Sequence, residues 1–148
     1  REEIEGDPET LFLLGPGSTV ATVAERIGVE KTLLGIDALR SGELIARDLN
    51  EREILDLLEG HPRCVLVLSP IGAQGFVLGR GNQPLSPEVV RRIGRAGLRI
   101  LATPSKLART SVLRCDTGDA SLDAELTAPG YWPVVTGYHE RRLVKIQS

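Results

Sequence analysis

Apolar and polar positions alternate along the chain in blocks that predict strands and helices in turn. Leu11–Leu14 is a short apolar run that closes on Gly15-Pro16-Gly17-Ser18-Thr19. Val20, Val23, Ala24 and Ile27 then recur at helical spacing up to Gly28, so this stretch predicts a strand, a tight turn and a helix. A second strand is expected over residues 32–36, closed by Asp37, and a third over 43–47, with Ser41-Gly42 as the turn between them. Asn50 followed by Glu53 has the form of an N-cap with its reciprocal carboxylate. Ile54, Leu57 and Leu58 form one helical face before Gly60 and Pro62 end it.

Cys64–Leu68 is continuously apolar, as suits a strand buried on both faces. Phe76–Leu78 is strand-like between glycines. Ser86-Pro87 opens a helix whose buried face is Val89, Val90 and Ile93, with Gly94 or Gly97 as its stop. Residues 98–102 and 112–115 read as strands separated by a polar loop carrying Lys106 and Arg109, and 119–126 as a short helix. Residues 132–146 read as two strands joined around Gly137. The expected class is therefore α/β: a mostly parallel sheet flanked by helices, with an antiparallel β excursion near the C-terminus and α+β as the alternative. Residues 1–9 are mostly acidic and aperiodic and read as a linker or the remnant of a preceding domain, leaving 10–148 as a single domain.

Bulk chemistry narrows the functions. The 148 residues suffice for one hydrophobic core without metal or disulfide staples. A formal charge of −2 with only five aromatic residues gives neither a basic field nor a stacking platform, which argues against nucleic acid as a partner. No stretch has the apolar length to cross a bilayer, so no membrane partner is expected. Cys64 and Cys115 sit in separate apolar runs and read as buried free thiols, which favours a cytoplasmic location.

Two glycine-rich segments carry the candidate chemistry. The first joins a buried strand to a helix start, where free amides and the helix dipole favour an anion. Gly15 and Gly17 allow close approach, while Ser18 or Thr19 can cap the helix or bond a phosphate oxygen; a plain capped turn is the alternative. The segment matches neither a P-loop nor the GxGxxG fingerprint. Asp37 can meet a ribose hydroxyl or cap a turn. The second segment follows the buried strand and holds four glycines among polar groups: Ser69, Pro70, Gly72, Gln74, Gly75, Phe76, Gly79, Arg80, Gly81, Asn82 and Gln83. It predicts a ligand site at a strand's carboxyl end, with Arg80 on a phosphate and Asn82 or Gln83 on an adenine or carboxamide edge. Alternatively, Arg80 pairs with a carboxylate such as Glu88.

On LLGPGST at 13–19, KTLLGIDAL with DLNE at 31–51, SPIGAQGFVLGRGNQPLSPEVVRRIGR at 69–95, and DTGDASLD with VVTGY, the chain resembles the C-terminal part of the NAD kinase family. It is most similar to the archaeal-type and AcoX-like branch of ATP-NAD kinases. Residues 69–76 look like a variant of that family's TPTGSTAY motif: Pro70 and Gly72 match and Ser69 is conservative. Ile71, Ala73 and Gln74 replace its hydroxyl residues, and Phe76 stands in place of the tyrosine. The resemblance implies NAD and ATP, or polyphosphate, as substrates, with magnesium, and phosphorylation of the adenosine ribose 2'-hydroxyl. It also implies an N-terminal kinase domain to supply the GGDGT aspartate loop, which this sequence lacks; without that loop the isolated chain is expected to be inactive. A homo-oligomer is expected, and a noncatalytic nucleotide-sensing domain of AcoX type is the alternative.

Four further constellations carry weaker signals. Asp116 and Asp119 can share a magnesium ion or, alternatively, Asp119 can cap the following helix. Arg91, Arg92 and Arg95, with Lys106 and Arg109 beyond, form a basic surface that can favour polyphosphate. Asn50-Glu51 resembles the family's ribose-binding pair, although capping already accounts for Asn50. His61 and His139 lack partners at metal-ligand spacing, and no metal ligand is assigned.

Overall fold

A computed structural model describes residues 9–79, 84–110, 112–137 and 140–148. Nine strands form one sheet: β1 (Leu11–Leu14), β2 (Asp37–Arg40), β3 (Glu43–Ala46), β4 (Cys64–Leu68), β5 (Phe76–Leu78), β6 (Leu98–Leu101), β7 (Val112–Cys115), β8 (Tyr131–Gly137) and β9 (Glu140–Gln147). The helices are α1 (Ser18–Arg26), α2 (Glu51–Gly60), α3 (Pro87–Ile93), α4 (Pro104–Arg109) and α5 (Ala120–Thr127). The strand order is β3-β2-β1-β4-β6-β8-β9-β7-β5. Most neighbours run parallel, and the β8–β9 hairpin is the expected antiparallel excursion. A second antiparallel stretch, β1-β2-β3, forms the other edge.

The direction of each pairing positions the site. β1, β4, β6 and β8 point one way and, beyond the hairpin, β9, β7 and β5 point the other. The carboxyl ends of β1 and β4 therefore share a rim with the amino ends of β7 and β5. Four strands separate β4 from β5, which in a flat sheet is roughly 24 Å. Ile71 bridges Phe76, with its N–H donating to the Phe76 carbonyl at 2.8 Å, so Ser69 and Pro70 alone must cover the gap. Three chain steps reach at most about 11 Å. The sheet must curl until its β5 edge approaches β4.

Inside the curl lies the larger core, with Leu66, Leu68, Val77, Leu113, Trp132, Val144 and Ile146 from the strands and Ile54, Val89, Val90, Leu107 and Leu122 from helices. On the opposite face α1 buries Val20 and Ala24 against Phe12, Leu14, Leu39, Val65 and Val67. β4 thus contributes to both cores, which explains its uninterrupted apolar sequence.

Two elements differ from expectation. Residues 32–36 are not a strand, and Asp37 opens β2 rather than closing a strand. The Thr32 N–H and hydroxyl both donate to the Asp37 carboxylate at 2.7 Å, and Lys31 Nζ donates to the Thr32 and Gly35 carbonyls at 2.7 Å. These local bonds wrap the backbone around a buried carboxylate and outcompete extension. The polar loop expected around Lys106 and Arg109 is instead α4, capped by Thr103, which accepts from the Lys106 N–H at 3.1 Å, with Pro104 in the first turn. Its single buried apolar residue, Leu107, gave too little periodicity to read.

Candidate functional site

β1 and β4 are adjacent and parallel, with Leu14 level with Val67, so the glycine turns at their carboxyl ends lie side by side. The Gly15 N–H continues the ladder to the Val67 carbonyl at 2.8 Å. Gly17, at φ 112°, occupies the N-cap of α1, a left-handed conformation that side chains resist. No side chain caps this helix, and the amides of Ser18, Thr19 and Val20 make no hydrogen bond among the described residues. Asn50, Ser86, Thr103 and Asp119 cap the other four helices. The α1 terminus therefore presents bare donors and the positive end of its dipole to the rim.

Ser69 faces this terminus. It is only 4% exposed, and its Oγ lies 3.2 Å from the point where a β-carbon on Gly17 would stand. No hydrogen bond reaches that hydroxyl among the described residues. Pro70 is buried beside it, while Gly72 and Gln74 are exposed at the crown of the turn. Lys106 on α4 donates to the Gly72 carbonyl at 2.8 Å and pins the crown. Below it Gly75, at φ 73°, packs so closely that a β-carbon there would stand 2.3 Å from Thr110 Cγ2.

The loop after α1 completes this side of the rim. The Gly17 N–H donates to the Leu33 carbonyl at 2.9 Å, and Leu33 and Leu34 are exposed. Asp37, level with Leu14, is fully buried; besides Thr32, it accepts from the Asp48 N–H at 2.8 Å and lies 3.9 Å from Lys31 Nζ. Its oxygens thus serve the loop. Burial pushes the Lys31 ammonium below its ordinary pKa, against the opposing pull of Asp37 and Asp48.

Phe76 and Gln74 line a cavity of 530 Å³ on the same rim, together with Ala73, Arg109, Thr110, Val112 and Arg114. Arg114 and Thr110 belong to no motif that sequence reading singled out. The alternation in β7, where Leu113 and Cys115 are buried and Val112 and Arg114 half-buried, is the signal that turns Arg114 away from the core. Gly79 follows β5, and Arg80, Gly81, Asn82 and Gln83 lie outside the described residues.

The remaining polar clusters are engaged in structure. Asp119 caps α5 through the Leu122 N–H at 3.1 Å and pairs with Arg91 at 2.7 Å; that hydrogen bond, first, and the cap pull its carboxyl down to about 2. Arg92 pairs with Glu88 at 3.2 Å, and Arg95 stacks over Trp132 at 4.6 Å. The basic surface is thus largely neutralised or stacked. Asn50 and Glu53 form the full capping box. Both cysteines are free, and burial pushes each thiol up to about 12. Among the described residues no three His, Cys, Asp or Glu side chains converge as a metal site, and no helix is long and apolar enough to cross a membrane. A second cavity, of 590 Å³, lies at the opposite rim between Thr10, His61 and Arg99. It is the larger, yet Arg92 there pairs with Glu88, and Arg99 bonds the Ala96 and Leu98 carbonyls.

Glycine turns at the carboxyl ends of adjacent parallel strands, one leading into an uncapped helix, stand at the rim where α/β proteins commonly bind ligands. The family model for the ATP-NAD kinase C-terminal domain matches residues 8–146, and the chain belongs to that family. No curated protein and no solved structure matches it significantly.

Proposed function

We propose that this chain is the dinucleotide-holding part of an NAD kinase of the archaeal-type and AcoX-like branch, working with an N-terminal domain that carries the catalytic aspartate loop. The observation that carries this reading is the amino terminus of α1, without a side-chain cap, facing the Ser69 hydroxyl, which makes no hydrogen bond among the described residues. A dinucleotide's pyrophosphate meets the Ser18 and Thr19 amides and the Ser69 hydroxyl, the arrangement in which backbone donors and a helix dipole hold phosphate. Ile71, exposed beside Gly17, gives the ligand an apolar contact.

In the reaction the adenosine ribose 2'-oxygen bonds to the terminal phosphorus of ATP or polyphosphate. The bridging P–O bond breaks toward the leaving phosphate, and the hydroxyl proton passes to the aspartate of the partner domain. Positioning supplies much of the rate in such transfers. The described residues offer no magnesium site, Asp119 being held by Arg91 and by its cap. The role assigned to this chain is therefore binding and orientation.

Calorimetric titration of NAD and NADP into the chain, repeated with Arg80→Ala and Asn82→Ala, tests the reading. Saturable binding of a dinucleotide, weakened by either substitution, is expected. Absence of binding by both dinucleotides contradicts it.

A further inference from the structure

The loop between α1 and β2 is held by polar bonds rather than by apolar burial. Leu33 and Leu34 are 56% and 81% exposed and belong to neither core. The loop closes instead on Lys31 and Asp37, whose side chains are both enclosed. Lys31 Nζ donates to the Thr32 and Gly35 carbonyls at 2.7 Å and so brackets the two leucines. The Asp37 carboxylate accepts from the Thr32 N–H, the Thr32 hydroxyl and the Asp48 N–H. Gly35 fits because it has no β-carbon, which would stand 2.6 Å from Asp48 Oδ1 and 2.7 Å from Thr32 Oγ1. Asp48 closes the unit at φ 50°, a left-handed conformation that residues with a β-carbon resist.

A buried ion pair adds little net stability once the desolvation of both charges is counted. Its visible effect here is geometric. The Leu33 carbonyl, placed between the two carbonyls that Lys31 holds, accepts the Gly17 N–H at 2.9 Å. Gly17 is the N-cap of α1 and sets the direction in which that helix begins.

We infer that Lys31 is a positioning residue for the α1 terminus: by bracketing residues 32–35 it fixes the Leu33 carbonyl, which holds the Gly17 cap and with it the Ser18 and Thr19 amides at the rim. Lys31 acts through the loop, its donors all being directed at protein groups. A terminus ordered before the ligand arrives loses less entropy on binding. The inference rests on the dinucleotide reading.

Lys31→Met tests it, because methionine keeps much of the buried chain and removes the ammonium. Asp37 retains its three donors, so the fold is expected to persist. Amide hydrogen exchange of the free protein and calorimetric titration with NAD are read on the same sample. The Gly17 amide is expected to lose about tenfold or more in protection while Leu13 and Leu14 of β1 keep theirs, and NAD affinity to fall about tenfold. Ser86→Ala is the control for stability alone: it removes the α3 cap, and it is expected to lower the unfolding midpoint and leave NAD affinity unchanged. Unchanged Gly17 protection or unchanged NAD affinity in folded Lys31→Met overturns the inference and leaves the dinucleotide reading standing. Absence of NAD binding by the wild type overturns both. If Lys31→Met does not fold, exchange in the wild type decides: one shared opening for the Gly17 and Thr32 amides supports the inference, and protection differing by more than about tenfold between them overturns it.

Discussion

Ser69 and Gly17 meet at the rim, the serine hydroxyl 3.2 Å from where a β-carbon of Gly17 would stand, with no protein group bonded to that hydroxyl among the described residues. The two residues come from different glycine turns, 52 positions apart in sequence. Their approach follows from the parallel pairing of β1 with β4.

Ser69→Ala separates binding from folding. The substitution breaks no hydrogen bond among the described residues, so thermal stability is expected to change by less than about 0.5 kcal/mol. NAD affinity is expected to fall about tenfold, as for loss of a hydrogen bond to a charged group. Melting curves and calorimetry on the same sample check both. Unchanged affinity would show that the hydroxyl touches no ligand.

Gly75→Ala is expected to act on the fold. Its β-carbon would stand 2.3 Å from Thr110 Cγ2 and 2.9 Å from the Val112 carbonyl oxygen, at φ 73°. Strain and overpacking together predict a loss of roughly 2–4 kcal/mol. Urea unfolding midpoints measure it, and a loss under 0.5 kcal/mol would mean that the turn relaxes away from β7.

Asn50→Ala removes one half of the α2 capping box, in which the Glu53 N–H donates to Asn50 Oδ1 at 2.9 Å. A loss of about 1 kcal/mol in stability, with NAD affinity unchanged, is expected. A drop in affinity at constant stability would instead give Asn50 the ribose-binding role that its likeness to the family's asparagine-glutamate pair suggests.

Acid should weaken the link between α3 and α5. The Arg91 hydrogen bond and the helix cap hold the Asp119 carboxyl at about 2, below its ordinary 3.8. A carboxyl depressed on folding contributes stability that is complete above its unfolded pKa and lost as pH falls through the folded value. The stability difference between wild type and Asp119→Asn is therefore expected to be constant near neutrality and to shrink between pH 4 and 2. Denaturant titrations at stepped pH measure it. A difference that does not change across that interval would remove the ion pair from the account.

Much of this was legible in the sequence. The continuous apolar run of Cys64–Leu68, the Asn50-Glu53 box and the Ser86-Pro87 helix start each carry a local signal strong enough to survive tertiary context. Thr103-Pro104 carries the same signal as Ser86-Pro87, but α4 buries only Leu107 and shows no periodic face. The 32–36 stretch misled because Leu33 and Leu34 look like strand residues while Thr32 bonds to a carboxylate five positions away. At the site, each glycine turn was readable alone; that they adjoin depends on strand order. The cavity lined by Arg109 and Arg114 depends on the pairing of β5 with β7, a nonlocal property that no short window of residues encodes.

The most direct test of the dinucleotide site is an amide NMR titration of the chain with NAD. The account predicts that the largest shift changes fall on Gly17, Ser18 and Thr19 and on Ser69, Ile71 and Gly72, converging on one saturation curve. Changes centred instead on Thr10, His61 and Arg99 at the opposite rim, or no changes at all, would contradict it.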